Sequence, residues 1–416
     1  MSMDYGLIGY PLCHSFSAEL HAKAGNYEYS LIELKGDELK EFFGKRDFKG
    51  INVTLPYKSK VIPFLDCIDE SAKRIGAVNT VINKNGLLYG YNTDILGMQA
   101  LINKCGIELC GKKVAILGSG GTSKTAFATA KELGAGEIIT VSRHKKANAV
   151  TYDELYKNHK DTEVIINTTP VGMFPDNGGM PLDISGFDKL CGVLDAVYNP
   201  LRTKLVLEAK KRGIKAAGGL YMLISQGVYA SKLFCGAEIN GDDIYKEIKR
   251  DKQNIVLCGM PSCGKSTVGR LLSEVLCKPF YDVDTEIENR EKMSAFKIIT
   301  KKGEEYFRKA ENEVIRELSA KNGIVIALGG GSVLERENTD NLKQNGRVYF
   351  IDRPPQLLTP TPDRPLASSK EAINELYQKR HKTYIFSADV TVSGNLTAED
   401  FANKIREDFL NEDSCY

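Results

Sequence analysis

Short apolar runs, each closed by glycine, proline or a polar turn, recur along the chain. They stand at residues 5–9, 50–53, 113–117, 137–141, 164–166, 192–197, 255–257, 324–328 and 348–352. Runs of this length, rich in Val and Ile, predict buried strands. Between several of them the apolar positions return at helical spacing. Val268, Leu271, Leu272, Val275 and Leu276, for example, mark one face of a helix. Strands alternating with helices predict an α/β fold built on parallel sheets.

Two of the strand-to-helix joints carry chemistry. At the first, the strand Lys113–Leu117 runs into Gly118-Ser119-Gly120-Gly121-Thr122, then a helix from Thr125 to Leu133, then the strand Glu137–Val141. This is a βαβ unit with a dinucleotide-type turn, although the third glycine of G-x-G-x-x-G is out of its usual place. A cofactor with a free ribose 2′-hydroxyl calls for an acid at the end of the second strand. The chain has Ser142-Arg143-His144-Lys145-Lys146 there, which suits a 2′-phosphate, hence NADP rather than NAD; the other reading is a solvated basic turn. At the second joint, Gly259-Met260-Pro261-Ser262-Cys263-Gly264-Lys265-Ser266-Thr267 fits the phosphate-binding P-loop, between a strand and a helix as that motif requires. Its backbone N–H groups and helix N-terminus suit phosphate oxygens, with Lys265 reaching the β- and γ-phosphates and Ser266 ligating Mg²⁺. Cys263 within it reads as a small residue rather than a redox switch. A P-loop normally opens its domain, so the residues before Gln253 form something separate. The polar stretch Asn240–Asn254 is the candidate linker, or a short helix.

Other segments add polar groups to apolar settings. Ser15 and Ser17 follow the first strand; by spacing alone Ser17 reads as the N-cap of a helix through Ala18-Glu19-Leu20-His21. The strand Gly50–Val53 continues through Thr54, Leu55 and Pro56 to Lys58, held on a rigid turn. Residues 75–82 and 90–94 read as strand-edge segments ending in Asn79-Thr80 and Asn92-Thr93-Asp94. Buried amides and carboxylates of this kind need partners and suggest a polar pocket. A helix opening at Gly218-Gly219 holds Gln226 among apolar neighbours. Beyond the P-loop, residues 279–284 read as a strand ending in two acids, Asp282 and Asp284, on one side. Arg308 precedes a helix, and the glycine turn at residues 329–331 lets a ligand approach the backbone closely.

Length and composition narrow the class. A chain of 416 residues suggests about two to three domains. With 42% hydrophobic and 26% charged residues, no tryptophan and a net charge of +2, it reads as soluble globular protein without a general affinity for nucleic acid or membrane. The first residues lack a signal-peptide pattern, and no apolar stretch approaches the roughly 20 residues of a membrane span. Ten cysteines without a C-x-x-C pair read as reduced thiols, which points to the cytoplasm.

Residues 5–240 resemble the shikimate dehydrogenases. The serine pair, N-V-T-x-P-x-K, A-V-N-T, N-T-D, G-x-G-G, N-T-T-P-x-G-M, D-x-x-Y and the M-L-x-x-Q helix all occur in family order. The resemblance implies a Rossmann-like NADP domain at about 101–219 and a substrate domain at about 1–100 plus 220–240. It implies that Ser15, Ser17, Thr54, Asn79, Tyr198 and Gln226 hold the substrate, and that Lys58 and Asp94 form the catalytic pair. NADP(H) would lie on Gly118, Ser119, Gly120, Gly121, Thr122, Ser142, Arg143 and Gly219, with Arg143 on the 2′-phosphate; Ser142-Arg143-His144 replaces the more usual Asn-Arg-Thr. Residues 254–416, after a linker at 241–253, resemble the shikimate kinases, P-loop proteins of α/β/α architecture with a parallel sheet. That resemblance implies ATP on Ser262, Cys263, Gly264, Lys265, Ser266, Thr267 and the lid residue Arg364, and Mg²⁺ near Ser266 and Asp282. It implies shikimate on Asp284, Arg308, Gly330 and Arg380, with Lys265, Asp284 and Arg364 catalytic. The lid departs from the family in having Leu357-Leu358-Thr359-Pro360 where a basic residue is expected.

Together the resemblances imply one polypeptide that reduces 3-dehydroshikimate with NADPH and phosphorylates the shikimate formed. The competing readings are a quinate/shikimate dehydrogenase fused to another small-metabolite kinase, and a ligand-sensing regulator without turnover. The basic turn at Arg143, the arginine pair Arg308 and Arg380, and the retained Lys58, Asp94 and Lys265 oppose them. Oligomeric state is not legible in the sequence.

Overall fold

The structure, a computed structural model, describes residues 4–12, 15–25, 27–236, 238–360 and 369–412. The chain divides into two compact units, one running to Ile248 and the other beginning at Lys249.

The first unit holds two sheets. The first is built from β1 (Tyr5–Gly9), β2 (Tyr29–Glu33), β3 (Gly50–Val53), β4 (Cys67–Ile68), β5 (Thr80–Lys84) and β6 (Leu87–Tyr91), in the order β2-β1-β3-β5-β6-β4. β3 pairs antiparallel with β5, and β5 with β6; the other pairs are parallel. The second consists of β7 (Lys113–Leu117), β8 (Glu137–Val141), β9 (Val164–Asn167), β10 (Gly192–Asp195) and β11 (Lys215–Ala217), all parallel, in the order β11-β10-β9-β7-β8. Period-two alternation sends its side chains to two cores. Val114, Ile116, Val164 and Ile166 meet Leu101, Ala126 and Ala130 on one face. Ala115, Leu117, Ile165 and Val193 meet Leu155, Leu205 and Val206 on the other. Burial on both faces is why β7, β9 and β10 read as apolar runs.

Two expectations about local structure change, and one open alternative is decided. Residues 75–82 are not one strand edge: Ile75 ends the helix Glu70–Ile75, and β5 starts only at Thr80. The helix after the glycine turn spans Gly121–Glu132, so it begins within the turn itself. Of the two readings left open for the stretch 240–254, linker or short helix, the structure has the helix, Gly241–Lys252. Asp242 and Asp243 in its first turn and Lys249, Arg250 and Lys252 in its last complement the helix dipole. Ile244 and Ile248, one turn apart, are buried in the cluster that contains Phe16, Leu20, Leu220 and Ile224.

A buried polar chain backs the first sheet. His21 Nδ1 meets the Tyr27 hydroxyl at 2.6 Å, Tyr27 in turn bonds Ser231, and the His21 ring stacks on Tyr29 with centroids 3.9 Å apart. Burial pulls the His21 imidazole down to about 3. Because the folded value lies below the ordinary one, the unfolded chain gains the proton first as the pH falls. Stability from this site is therefore present above about pH 6.5 and is lost on the way to pH 3, at up to about 1.4 kcal/mol per pH unit. Thermal unfolding between pH 7 and pH 4 should show a shallower acid loss in His21→Asn than in wild type. Equal slopes would mean that His21 does not drive it.

The second unit has one parallel sheet of β12 (Asn254–Cys258), β13 (Phe280–Asp282), β14 (Val325–Ala327), β15 (Gly346–Asp352) and β16 (Val390–Ser393), in the order β13-β14-β12-β15-β16. β12 is central, and its core residues Ile255, Val256 and Leu257 are fully buried. Its carboxyl end opens into the glycine-rich loop and the helix Lys265–Leu276.

Candidate functional site

In the first unit the chain leaves β3 through a turn closed by Tyr57 N donating to the Thr54 carbonyl at 2.9 Å. Lys58 follows, its own carbonyl accepting from Val78 N at 2.7 Å. The Lys58 ammonium donates to Asp94 Oδ2 at 2.7 Å, with the two side chains 13% and 7% exposed. Asp94 opens the helix Asp94–Lys104, where the partial positive charge of a helix N-terminus favours a carboxylate. A Cβ added to Gly121 would lie 3.7 Å from Lys58 Cβ and Cδ, so the acid–base pair stands against the glycine turn.

Beside the pair lies a knot of amides and hydroxyls. Asn79 Nδ2 donates to Thr93 Oγ1 (2.9 Å) and Gln226 Oε1 (3.2 Å), and Thr93 N donates to Asn79 Oδ1 (2.7 Å). Gln226 projects from the helix Leu220–Cys235, and its amide also donates to the Leu223 carbonyl at 3.0 Å. Thr93, absent from the sequence-derived site, is the hydroxyl that joins the other two. Tyr198 is half-buried; desolvation raises its phenol, opposed by a hydrogen bond with Ser15. Thr54 is half-buried at the end of β3. Ser17 is not the N-cap: the helix Ser17–Ala24 is preceded by Phe16 without a side-chain cap, and Ser17 is its buried first residue. Ser15 Oγ instead accepts from Ser17 N at 3.2 Å. The hydroxyl two residues upstream occupies the position the spacing assigned to Ser17.

The glycine turn is shaped for a dinucleotide. Gly118 has φ of +114°, and a Cβ there would stand 2.7 Å from Thr168 Oγ1, so only glycine fits. Gly120 caps the helix Gly121–Glu132 with open space around it, and Thr122 lies in the first turn. An open helix N-terminus of this kind accepts a pyrophosphate. At the end of β8 Ser142 is buried, whereas Arg143 is exposed. Lys146 reaches back to donate to Ser119 Oγ at 2.7 Å, which brings a cation to the turn. Gly219 caps the Gln226 helix against the Ala196 carbonyl, leaving no room for a side chain.

In the second unit the loop after β12 has φ of +144° at Gly259, +63° at Ser262 and +99° at Gly264. Cys263 is buried, while Thr267 is exposed on the first turn of the helix. Lys265 is 7% exposed and donates to the carbonyls of Gly259 (3.0 Å) and Met260 (2.9 Å). Ser266 Oγ donates to Asp282 Oδ2 at 2.5 Å. A hydroxyl beside one carboxylate suits a hard divalent cation that keeps most of its water. Among the described residues no three or more acidic, His or Cys side chains are grouped so that they could hold a metal ion by themselves.

The strand expected to carry both acids ends at Asp282, which caps the helix Val283–Glu291; Asp284 lies in that helix's first turn. The pair is thus set by a strand-to-helix joint rather than by strand alternation. A Cβ on Gly329 would stand 2.7 Å from Asp284 Oδ1, so the glycine turn lies against this carboxylate. Arg308 does not precede its helix but lies in the second turn of the helix Glu304–Ala320, where it donates to Glu311 Oε2 (2.6 Å) and Glu304 Oε1 (3.2 Å). Burial works against its charge, but the two glutamates outweigh it and keep the guanidinium raised. Glu311 is fully buried and also accepts from Ser332 Oγ at 2.6 Å. Arg380 Nη1 donates to the Gly330 carbonyl at 2.9 Å, as does the Tyr384 hydroxyl at 2.5 Å. Gly330 itself sits on Pro261, where a Cβ would come within 3.0 Å of the proline ring. Glu311 and Tyr384 were missed, although each lies one helical turn from an arginine that was not. Arg364 lies outside the described residues.

A family model described as shikimate kinase matches residues 261–410, and one described as shikimate dehydrogenase substrate binding domain matches residues 7–81. The chain is 36% identical over 266 residues to the shikimate dehydrogenase (NADP(+)) of Clostridium perfringens, covering 59% of this chain and 98% of that protein. It is similar to the crystal structure of a chorismate mutase/shikimate 5-dehydrogenase fusion protein from Clostridium acetobutylicum, with 34% identity, a TM-score of 0.56, and coverage of 60% of this chain and 97% of that one. A shikimate 5-dehydrogenase from Thermus thermophilus in complex with NADP(H) and shikimate is 30% identical, with a TM-score of 0.54, and covers 60% of this chain and 99% of its own.

Proposed function

We propose, for a chain that belongs to the shikimate dehydrogenase family and carries a shikimate kinase domain behind it, two consecutive reactions of aromatic biosynthesis: reduction of 3-dehydroshikimate to shikimate, and phosphorylation of shikimate at its 3-hydroxyl. We assign the first to residues 1–240 and the second to residues 254–416. NADPH supplies the hydride and ATP, with Mg²⁺, the phosphoryl group. The observation that carries the reading is the 2.7 Å Lys58–Asp94 pair set against Gly121 of the dinucleotide turn, where proton donor and cofactor meet.

Lys58, oriented by Asp94, gives a proton to the substrate's carbonyl oxygen. Ser15, Ser17, Thr54, Asn79, Tyr198 and Gln226 bind the ring hydroxyls and the carboxylate. In the kinase half Arg308 and Arg380 bind that carboxylate, and Asp284 orients the 3-hydroxyl or accepts its proton. Lys265 stabilises charge on the transferring phosphoryl, while Ser266 and Asp282 would hold the cation. Neither competing reading gains support, since the acid–base pair, the loop lysine and both arginines are in place. No helix among the described residues is long and apolar enough to cross a membrane, and no disulfide joins the described cysteines. We place the enzyme in the cytoplasm.

The test is a coupled assay with purified protein. NADPH should be consumed with 3-dehydroshikimate, and the shikimate formed should then disappear only when ATP and Mg²⁺ are added. Absence of either step removes that half of the proposal. Cofactor choice should rest on Arg143 and Lys146. A charge-assisted contact to a phosphate is worth about 1.5–3 kcal/mol, so Arg143→Ala should lower the NADPH-over-NADH ratio of kcat/KM roughly 10- to 150-fold. Lys146→Ala should lower it as well, and an unchanged ratio in both variants would place recognition of the 2′-phosphate elsewhere.

A further inference from the structure

We propose that Asp195 is a positioning residue for the reduction, its carboxylate tying the cofactor-side turn after β9 to the substrate-side turn that carries Tyr198. The inference rests on the reading of the first unit as a reductase.

Asp195 is the last residue of β10, fully buried, and in register with Asn167 at the end of β9. Its Oδ1 accepts from Asn167 Nδ2 (2.9 Å) and Val197 N (3.0 Å), and its Oδ2 accepts from Thr203 Oγ1 (2.7 Å). Two of these partners lead to the site. On one side Asn167 Oδ1 accepts from Thr169 N (3.0 Å) and Thr169 Oγ1 (2.7 Å), which orders the turn whose Thr168 stands against Gly118. On the other, the Val197 carbonyl accepts from Gly219 N at 2.8 Å, at the start of the helix that carries Gln226. The next residue, Tyr198, meets Ser15. One carboxylate thus lies within a few hydrogen bonds of both halves of the site, yet no step of the reduction uses it.

Three donors converge on this group, the environment of an anion. Burial nevertheless raises its carboxyl to about 7, against the opposing bonds from Thr203, Val197 N and Asn167. The titratable or charged side chains on the adjoining turn and helix start are Tyr198, Arg202 and Lys204, and the displacement is set chiefly by burial. The folded value lies above the ordinary 3.8. The native state therefore binds this proton more readily than the unfolded chain between about pH 4 and pH 7. This group makes the protein less stable as the pH rises through that window, with no further change above it. Asn has the same shape and can retain all three contacts if the Thr203 hydroxyl turns to accept, so Asp195→Asn removes charge and little else.

The test follows kcat/KM for 3-dehydroshikimate with NADPH, and the thermal midpoint, from pH 5.5 to pH 8.5 in the full chain. At pH 8 Asp195→Asn should show about tenfold lower kcat/KM than wild type with an equal or higher midpoint, since charge-assisted bonds are replaced by neutral ones. The two proteins should converge by about pH 6, where the wild-type carboxyl holds its proton. Thr203→Val, which removes one donor, should move the wild-type acid limb to higher pH. Equal activity at pH 8, a loss independent of pH, or a fall in midpoint parallel to the fall in rate would overturn the proposal; so would an unmoved limb in Thr203→Val. If wild type does not reduce 3-dehydroshikimate, the reductase reading fails. NADPH dissociation constants over the same pH range then decide this inference: wild type and Asp195→Asn should differ at pH 8 and converge at pH 6, and constants equal throughout would overturn it.

Discussion

Lys58→Met lowers kcat for the reduction about 10²–10⁴-fold and leaves phosphorylation of shikimate unchanged. This expected result follows from the position of the ammonium. It is held 2.7 Å from Asp94 on a turn braced by two backbone hydrogen bonds, and it faces the first residue of the helix under the dinucleotide turn. Methionine keeps much of the unbranched apolar stem and discards the proton. Removing Asp94 instead would strand a largely buried ammonium, at a cost of about 3–5 kcal/mol, and would mix stability with catalysis. Steady-state kinetics at saturating NADPH separate the two roles open to Lys58. A rise in KM for 3-dehydroshikimate with kcat intact would show that it binds the substrate and does not donate the proton. The second unit reports in the same sample whether the protein is intact, because its ATP-dependent reaction should not change.

The strands that bury both faces were the most legible part of this chain. β7, β9, β10 and β12 announce themselves as apolar runs because their side chains are buried on both faces of the sheet. Both phosphate turns were legible for a different reason, since glycine at Gly118 and Gly264 is imposed by backbone geometry and leaves a mark in sequence. Single-residue boundaries were not legible. Ser17 and Ser15 differ by two positions, and only the folded turn reveals which hydroxyl meets which N–H. Asp284 reads as strand because nothing local shows that β13 stops at Asp282 and a helix begins. The helix Gly241–Lys252 was legible only as an alternative to a linker, because charges dominate it and its buried stripe rests on Ile244 and Ile248. Side chains that act on other side chains were harder still. Thr93 and Glu311 owe their places to Gln226 and Ser332, which lie far away in sequence. Arg308 and Glu311 are three residues apart, a spacing that on a helix makes neighbours, so this pair could have been found.

In the second unit the largest effect should come from Lys265. Lys265→Ala is expected to lower kcat for shikimate phosphorylation by at least about 10²–10³-fold, the range found when one preorganised donor to a developing charge is removed. Its ammonium, only 7% exposed, is held by the Gly259 and Met260 carbonyls at the start of the helix that follows the loop. A cation fixed there acts on phosphate oxygens with little rearrangement. Lys265→Arg should not restore the rate, since a planar guanidinium cannot present a point charge between those two carbonyls. Loss of the lysine also leaves both carbonyls short of a donor, so the loop could shift and lower the rate indirectly. Shikimate affinity measured by titration distinguishes the two causes. Arg308, held by Glu311 and Glu304, and Arg380, held by the Gly330 carbonyl, do not depend on Lys265. Shikimate should therefore bind with unchanged affinity while kcat collapses. If kcat falls less than tenfold, charge stabilisation at this loop is carried by other groups. If shikimate affinity falls in parallel, the loop and the glycine turn packed on Pro261 have moved together.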